Sequence, residues 1–181
     1  PWHTYGETRI PCAVGGAGYT VVDRMRKGLP IVCHGDGESL WGLTLSDDFA
    51  VGFVGLMGNP KAIGEAVHIT TEEILTWNQI YRTFARAAGG VANMVHLPSE
   101  LIFKLYPEAG TPLIGDLAYS SVYDNSKIKR LVPEYRPTIR LAEGIARSIA
   151  WFDADPKRRV VDPKVNAMLD DLVAVRERLM K

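Results

Sequence analysis

Tyr123 and Lys127 are the residues whose types and spacing most directly suggest catalysis. Four residues apart on one helix, a lysine ammonium lies beside a tyrosine phenol and lowers its pKa, which makes the phenolate a base. The intervening Asp124-Asn125 is a helix-capping signal, however, and it leaves Tyr123 outside the helix that follows. We therefore predict that this pair is structural and that the chain holds no catalytic residue of its own.

A run of glycines, Gly15-Gly16-Ala17-Gly18, precedes a predicted helix and resembles a phosphate-binding loop. It lacks a preceding strand, the GxGxxG spacing and the Lys-Ser/Thr of a P-loop, so we do not expect a dinucleotide pyrophosphate here. Two interpretations stay open: a flexible loop, which the glycines favour, or a loop whose N–H groups meet a substrate phosphate.

Composition excludes several other classes of function. The formal net charge is 0 and the pI about 7.4, which gives no electrostatic reason to expect nucleic acid or an anionic membrane as partner. The start is polar and no apolar run approaches the ~20 residues of a membrane helix, so we expect a cytoplasmic protein. The histidines and cysteines have no metal-ligand spacing, and we predict no metal site; they are His3, His34, His68, His96, Cys12 and Cys33.

The elements that must position any site are clearest between Ile31 and Val54. An apolar run ending at Cys33 predicts a strand, Gly35-Asp36-Gly37 a turn, and Leu40 to Leu45 a second strand. Ser46 is a predicted N-cap, followed by a helix whose apolar residues recur at helical spacing; they are Phe49, Phe53, Leu56 and Met57.

Elsewhere the sequence predicts short strands between longer helices. Thr70 and Glu73 have capping-box spacing before a helix that Gly89 ends, and Asp162-Pro163 predicts the start of the last helix. Strands are expected at 66–69 and 93–97, helices at 19–27, 99–105 and 126–131, and a loop at 107–112. This alternation indicates an α/β or α+β fold.

The strand, Gly-Asp-Gly turn, strand and capped-helix order, with Ser46-Asp-Asp-Phe-Ala50 at the helix start, resembles the extended short-chain dehydrogenase/reductases. These are the NAD-dependent epimerases and dehydratases. The resemblance covers nearly the whole chain but only the family's C-terminal half. It implies one domain, residues 1–181, that forms the mostly helical substrate-binding lobe, with a few strands left from an incomplete Rossmann sheet. NAD or NADP would then be bound mainly by an N-terminal part that is absent.

The resemblance also implies site residues. His3 occupies a position where the family often has an asparagine that contacts the substrate's phosphate or sugar; an exposed loop position is the alternative. Trp2 and Tyr5 flank it, and Pro1, Trp2 and His3 would lie near the cofactor. Trp41 replaces an arginine that grips the nucleotide diphosphate, unless it is a core residue. Asp116 and Tyr119 match the family's Gly-Asp-x-x-Tyr pattern and are expected to hydrogen-bond substrate.

The function so implied is the substrate-binding portion of an NAD(P)-dependent epimerase or dehydratase acting on a nucleotide sugar or related carbohydrate. Alone, the chain is expected not to turn over. The alternatives are a catalytically inactive relative that binds RNA, which the neutral charge disfavours, and an assembly module. The long helices are compatible with a homodimer.

Overall fold

A computed structural model describes residues 1–180 and confirms the α/β prediction. The described strands are β1 (Thr4–Tyr5), β2 (Ile31–His34), β3 (Leu40–Trp41), β4 (Thr44–Leu45), β5 (Leu75–Thr76) and β6 (Met94–Leu97). The described α-helices are α1 (Thr20–Arg26), α2 (Ser46–Leu56), α3 (Trp77–Ala88), α4 (Ser99–Leu105), α5 (Pro107–Pro112), α6 (Ser126–Leu131), α7 (Leu141–Asp153) and α8 (Pro163–Leu179). Helices thus dominate, and the strands are short.

The strands form three separate pairs. β2 and β6 are parallel, in register from Ile31 opposite Met94 to His34 opposite Leu97. β1 pairs in parallel with β4, and β3 pairs antiparallel with β5. All four residues of β2 are buried, as expected of a strand covered on both faces. The predicted strand at Ile31 is therefore confirmed, and it extends by one residue.

The predicted second strand is interrupted at Gly42. A Cβ at this residue would lie 2.2 Å from Cζ3 of Trp2. The close approach of the indole separates β3 from β4, and the two short strands pair with different partners. The prediction of one continuous strand from Leu40 to Leu45 is therefore wrong.

Helix α2 begins at Ser46 rather than after it, with Leu45 in the cap position. The Ser46 hydroxyl lies near the Asp47 carboxylate, 3.4 Å away, and makes no capping bond. Phe53 and Met57 are more than half exposed. Asp48 and Gly52 are the buried residues of α2. Phe49 and Leu56 are partly buried and pack against a small core cluster that includes Val132.

The capping box lies six residues later than predicted. Thr76 caps α3, accepting from the Gln79 N–H while the Gln79 side chain accepts from the Thr76 N–H. At the predicted site, Thr70 is bonded to Asn125 instead, and the Glu73 carboxylate accepts from the Leu141 N–H at 2.6 Å.

Several helix ends agree with their sequence signals. Gly89 ends α3 with a φ of +68°, and Asp162 caps α8 through the N–H groups of Lys164 and Val165. Asp124 accepts from the Ser126 N–H, which leaves Tyr123 outside α6 as predicted. The expected strand at 66–69 is irregular, and the expected loop at 107–112 is α5.

The main core lies among β2, α1, α3, α7 and α8. Arg24 is buried within it, and its guanidinium reaches the Pro30 carbonyl, Asn166 and Asp170, each at 2.7 Å. These contacts join α1 to α8 and satisfy a charge that burial alone would strongly disfavour. Across residues 1–180, no helix is both long and apolar enough to cross a membrane.

Candidate functional site

A pocket with a volume of about 870 Å³ opens between three segments of the chain. One wall is the glycine loop at 15–17, the second is the junction of α4 and α5, and the third is the first two turns of α8. Apolar side chains supply most of the wall, including Leu105, Tyr106, Val165 and Met168. Volume and lining are typical of a small-molecule site.

The glycine loop has a fixed conformation. Gly15 and Gly16 have φ values of +107° and +75°, which side-chain-bearing residues rarely adopt. The Ile10 N–H donates to the Ala17 carbonyl at 3.0 Å and closes the loop. The Val14 N–H donates to the hydroxyl oxygen of the buried Tyr81. These two hydrogen bonds connect the loop segment to Ile10 and to Tyr81 of α3.

Charged side chains line the same pocket as the apolar ones. Arg9 and Lys164 supply two cations and Glu108 one carboxylate. In the described part of the chain, neither cation takes part in an ion pair. The excess of positive charge favours an anionic ligand.

His3 is half-buried and lines the same pocket. Trp41 Nε1–H donates to His3 Nδ1 at 2.9 Å, so Nδ1 carries no proton. Burial, with a smaller contribution from the Arg9 charge, lowers the pKa of His3 to about 4. At neutral pH the ring is therefore uncharged with its proton on Nε2, and it offers the pocket one N–H donor.

Trp41 belongs to a buried aromatic cluster behind His3. Its ring centroid lies 5.0 Å from that of Trp2 and 5.9 Å from that of Trp77, and Tyr123 packs on the other side of Trp2. Trp2 and Trp41 are almost fully buried, and neither lines the pocket. Trp41 thus acts on the pocket through His3.

The carbonyl of Leu117 anchors this cluster to the segment after α5. It accepts from Nε2 of His34 at 3.0 Å, from the Ser39 hydroxyl at 3.2 Å and from Nε1 of Trp77 at 3.2 Å. Leu117 itself lines the pocket. The three bonds therefore set the position of one wall.

The other predicted site residues lie apart from the pocket. Pro1 is exposed. Tyr5 is buried against α7, where a Cβ on Gly144 would lie 2.1 Å from the phenol oxygen, and burial raises its pKa. Asp116 and Tyr119 are exposed, and Tyr119 borders a different cleft, of about 560 Å³. Of the site residues that the resemblance implies, His3 alone lines this pocket, next to Gly15 and Gly16 of the predicted glycine loop. The roles of the other residues stay predictions.

Sequence reasoning did not identify Arg9, Glu108 or Lys164 as site residues. Single charged residues in loops carry no periodic or motif signal. Lys164 came nearest, since the Asp162-Pro163 signal places it in the first turn of α8. Its neighbours across the pocket could not be inferred from that turn.

The described residues do not by themselves fit a dinucleotide cofactor. The parallel strands β2 and β6 continue into a Gly-Asp-Gly turn and into Pro98, and neither forms a glycine-rich cradle for a pyrophosphate. Helix α1, which follows the glycine loop, has only 7 residues. No step of chemistry on such a cofactor is assigned to these side chains.

Two characterised proteins resemble this chain in sequence over part of their length. No protein-family model matches the chain. It is 29% identical over 109 residues to a 2'-dehydrokanamycin reductase of Streptomyces kanamyceticus, covering 60% of this chain and 31% of that protein. It is 26% identical over 152 residues to a UDP-glucose 4-epimerase of Mycolicibacterium smegmatis, covering 84% and 44%. The chain thus spans less than half the length of either relative.

Solved structures share the fold. A UDP-glucuronic acid 4-epimerase from Bacillus cereus, in complex with UDP-glucuronic acid and NAD, superposes with a TM-score of 0.61 at 20% identity, over 84% of this chain and 43% of that one. A UDP-glucose 4-epimerase from Thermotoga maritima with UDP-glucose gives 0.60 at 24% identity, over 84% and 44%. The chain is thus similar in sequence to an epimerase and a reductase, and it shares its fold with part of the two UDP-sugar 4-epimerases, as the resemblance to extended short-chain dehydrogenase/reductases implies.

Proposed function

We propose that this chain is the substrate-binding portion of an NAD(P)-dependent epimerase or dehydratase that acts on a nucleotide sugar. The observation that carries the proposal is the pocket that His3, Arg9 and Lys164 line together with apolar side chains of α8 and the α4–α5 junction. The cofactor is assigned mainly to residues of a longer polypeptide, because the described residues offer it no cradle.

The pocket chemistry suits a nucleoside diphosphate sugar. Two cations that no carboxylate pairs within residues 1–180 match a diphosphate, and arginine can hold its oxygens with a two-pronged fork. The neutral His3 donates from Nε2 without adding charge, so it can bond a phosphate or a sugar oxygen. The apolar wall formed by α8 and the α4–α5 junction leaves a dry surface for the rest of the ligand.

The comparisons support the same substrate class. One curated relative is named as a UDP-glucose epimerase, and the two solved structures hold UDP-sugars. The other relative is a reductase named for 2'-dehydrokanamycin. The pocket's positive charge favours an anionic ligand such as a nucleotide sugar over an aminoglycoside, whose amino groups carry positive charge.

Calorimetric titration of the 181-residue chain with UDP-glucose, UDP and glucose tests the substrate class. We expect UDP and UDP-glucose to bind and glucose not to bind, because the diphosphate supplies most of the charge-assisted contacts. Arg9→Gln should weaken UDP binding about tenfold, whereas Arg178→Gln, at the exposed end of α8, should not. Equal binding of glucose and UDP-glucose would contradict the proposal.

The activity needs its own test. A longer polypeptide that joins these residues to a dinucleotide-binding sheet should interconvert or dehydrate a UDP-sugar in the presence of NAD, as followed by chromatography. The 181-residue chain under the same conditions should leave the substrate unchanged. Turnover by this chain alone would contradict the proposal that the cofactor is bound mainly by other residues of a longer polypeptide.

A further inference from the structure

Three arginines line a further cleft, of about 450 Å³, between α3 and the start of α7. Arg82 and Arg86 extend from α3, and Arg140 precedes the first residue of α7. Other lining residues include Glu73, Gln79 and Thr83. None of the lining residues belongs to the pocket that holds His3.

The fold brings these charges together from distant parts of the chain. Arg82 and Arg86 are four residues apart, so they lie on the same face of α3 and repel each other. α7 packs directly on α3 and places Arg140 at the same cleft. All three side chains belong to exposed residues and are open to a ligand.

The positive charge of the cleft is not neutralised by its surroundings. Within residues 1–180, none of the three guanidinium groups forms an ion pair. Arg86 donates only to the Thr83 hydroxyl, at 3.0 Å. The lining carboxylate, Glu73, is already engaged by the Leu141 N–H at 2.6 Å. Glu73 keeps its negative charge and offsets the positive end of α7, so the excess positive charge of the cleft comes from three guanidinium groups against one carboxylate.

We propose that this cleft binds the phosphoryl group of a small phosphorylated molecule, at a site separate from the nucleotide-sugar pocket. Three arginine forks supply more donors than one carboxylate can accept, whereas a phosphate or pyrophosphate presents several oxygens at tetrahedral angles. The positive charge is local, since the whole chain has a net charge of 0, and this favours a small ligand over a nucleic acid.

Arginine side-chain NMR tests the site directly. The probe is inorganic pyrophosphate, added to the ¹⁵N-labelled chain at constant ionic strength. We expect saturable shifts of the Nε–H signals of Arg82, Arg86 and Arg140 and of the Ala142 amide. Arg86→Gln should weaken binding at these signals about tenfold, and the Arg82→Gln/Arg86→Gln pair should abolish it. Arg86→Lys keeps the charge but loses the fork, so it should bind with an affinity between Arg86→Gln and the unaltered chain.

Two controls separate this site from the sugar-nucleotide pocket. Arg9→Gln should leave the shifts of the three arginine signals intact, as should Arg178→Gln. Circular dichroism of each variant checks that the fold is retained. Absence of saturable shifts, or their loss in Arg9→Gln, would overturn the proposal. Tighter binding of a single-stranded oligonucleotide at equal phosphate concentration would overturn the assignment to a small ligand.

Discussion

The indole N–H of Trp41 donates to Nδ1 of His3 across 2.9 Å, from a nearly fully buried ring to one that faces the pocket. This bond fixes which nitrogen of His3 carries the proton. The resemblance implies that Trp41 stands at the position of a phosphate-binding arginine. Trp41 contributes to the pocket in a different way, because it orients the neutral hydrogen-bond donor of His3.

Trp41→Phe should allow the proton of neutral His3 to occupy either ring nitrogen. Phenylalanine keeps most of the ring packing against Trp2 and Trp77 but has no N–H, so Nδ1 loses its donor. We expect ¹⁵N shifts of His3 to show a mixture of tautomers and UDP binding to weaken about 3- to 10-fold. Trp151→Phe is the matched control, because Trp151 packs on Phe152 and Arg158 instead. An unchanged Nε2–H tautomer in Trp41→Phe would contradict the role given to Trp41.

Stability should fall as pH falls, because burial lowers the pKa of His3 to about 4, below its ordinary value of 6.5. Between these values the unfolded chain binds more protons than the folded one, so the free energy of unfolding rises with pH. The contribution of His3 to the free energy of unfolding is complete above pH 6.5 and is lost progressively as the pH falls towards 4. Its upper bound is about 3 kcal/mol. His34, whose pKa burial also lowers, acts in the same direction.

Urea unfolding at pH 7.5, 6.0 and 5.0 measures this dependence. His3→Gln retains a polar side chain that does not titrate, so its unfolding free energy should change less over the same range. The carboxylates with lowered pKa values, among them Asp153 and Asp124, act at lower pH. Identical pH dependence in the two proteins would show that His3 titrates normally.

Gly55→Ala should destabilise the fold although alanine favours helices. A Cβ at Gly55 would lie 2.3 Å from Cγ1 of Val132, so α2 would have to move outwards. We expect a loss of about 1–3 kcal/mol in urea unfolding, against a gain of about 1 kcal/mol at an unhindered helical glycine. Val132→Ala in the same chain should recover part of the loss. Val51→Ala, on the exposed side of α2, should have little effect.

Gly15→Ala and Gly16→Ala should differ although both replace glycines with positive φ. A Cβ at Gly15 would meet Cγ2 of Val21 at 2.6 Å, whereas a Cβ at Gly16 meets nothing within 4 Å. Gly16→Ala should therefore cost about 1 kcal/mol through backbone strain alone. Gly15→Ala should cost more and also weaken UDP binding, because the loop has to shift. Equal effects on unfolding and on UDP binding would contradict this account of the loop.

Elements whose signals are local could be predicted from the sequence. The run from Ile31 to Cys33, the Asp162 cap and the Gly89 stop each depend on a few neighbouring residues. The capping box shows the limit of such reasoning. Thr70 with Glu73 and Thr76 with Gln79 have the same spacing, and contacts with Asn125 and Leu141 decide between them.

The candidate site was less predictable than the fold for the same reason. Arg9 and Lys164 lie near opposite ends of the chain, and only the packing of α8 beside the glycine loop brings them to one pocket. His3 was identified through a resemblance, but its tautomer follows from a contact with Trp41 that no sequence pattern contains. The apolar spacing predicted the helix α2, but the close contacts that Gly52 and Gly55 make with Tyr135 and Val132 carry no such signal.

The Leu117 acceptor has a consequence for how this part of the molecule can vary. Because the oxygen belongs to the main chain, no replacement of the Leu117 side chain removes it, and His34, Ser39 and Trp77 each reach it separately. If any one donor is exchanged, the other two still bond their own elements to this oxygen. The pocket wall can therefore change its side chains without losing its place.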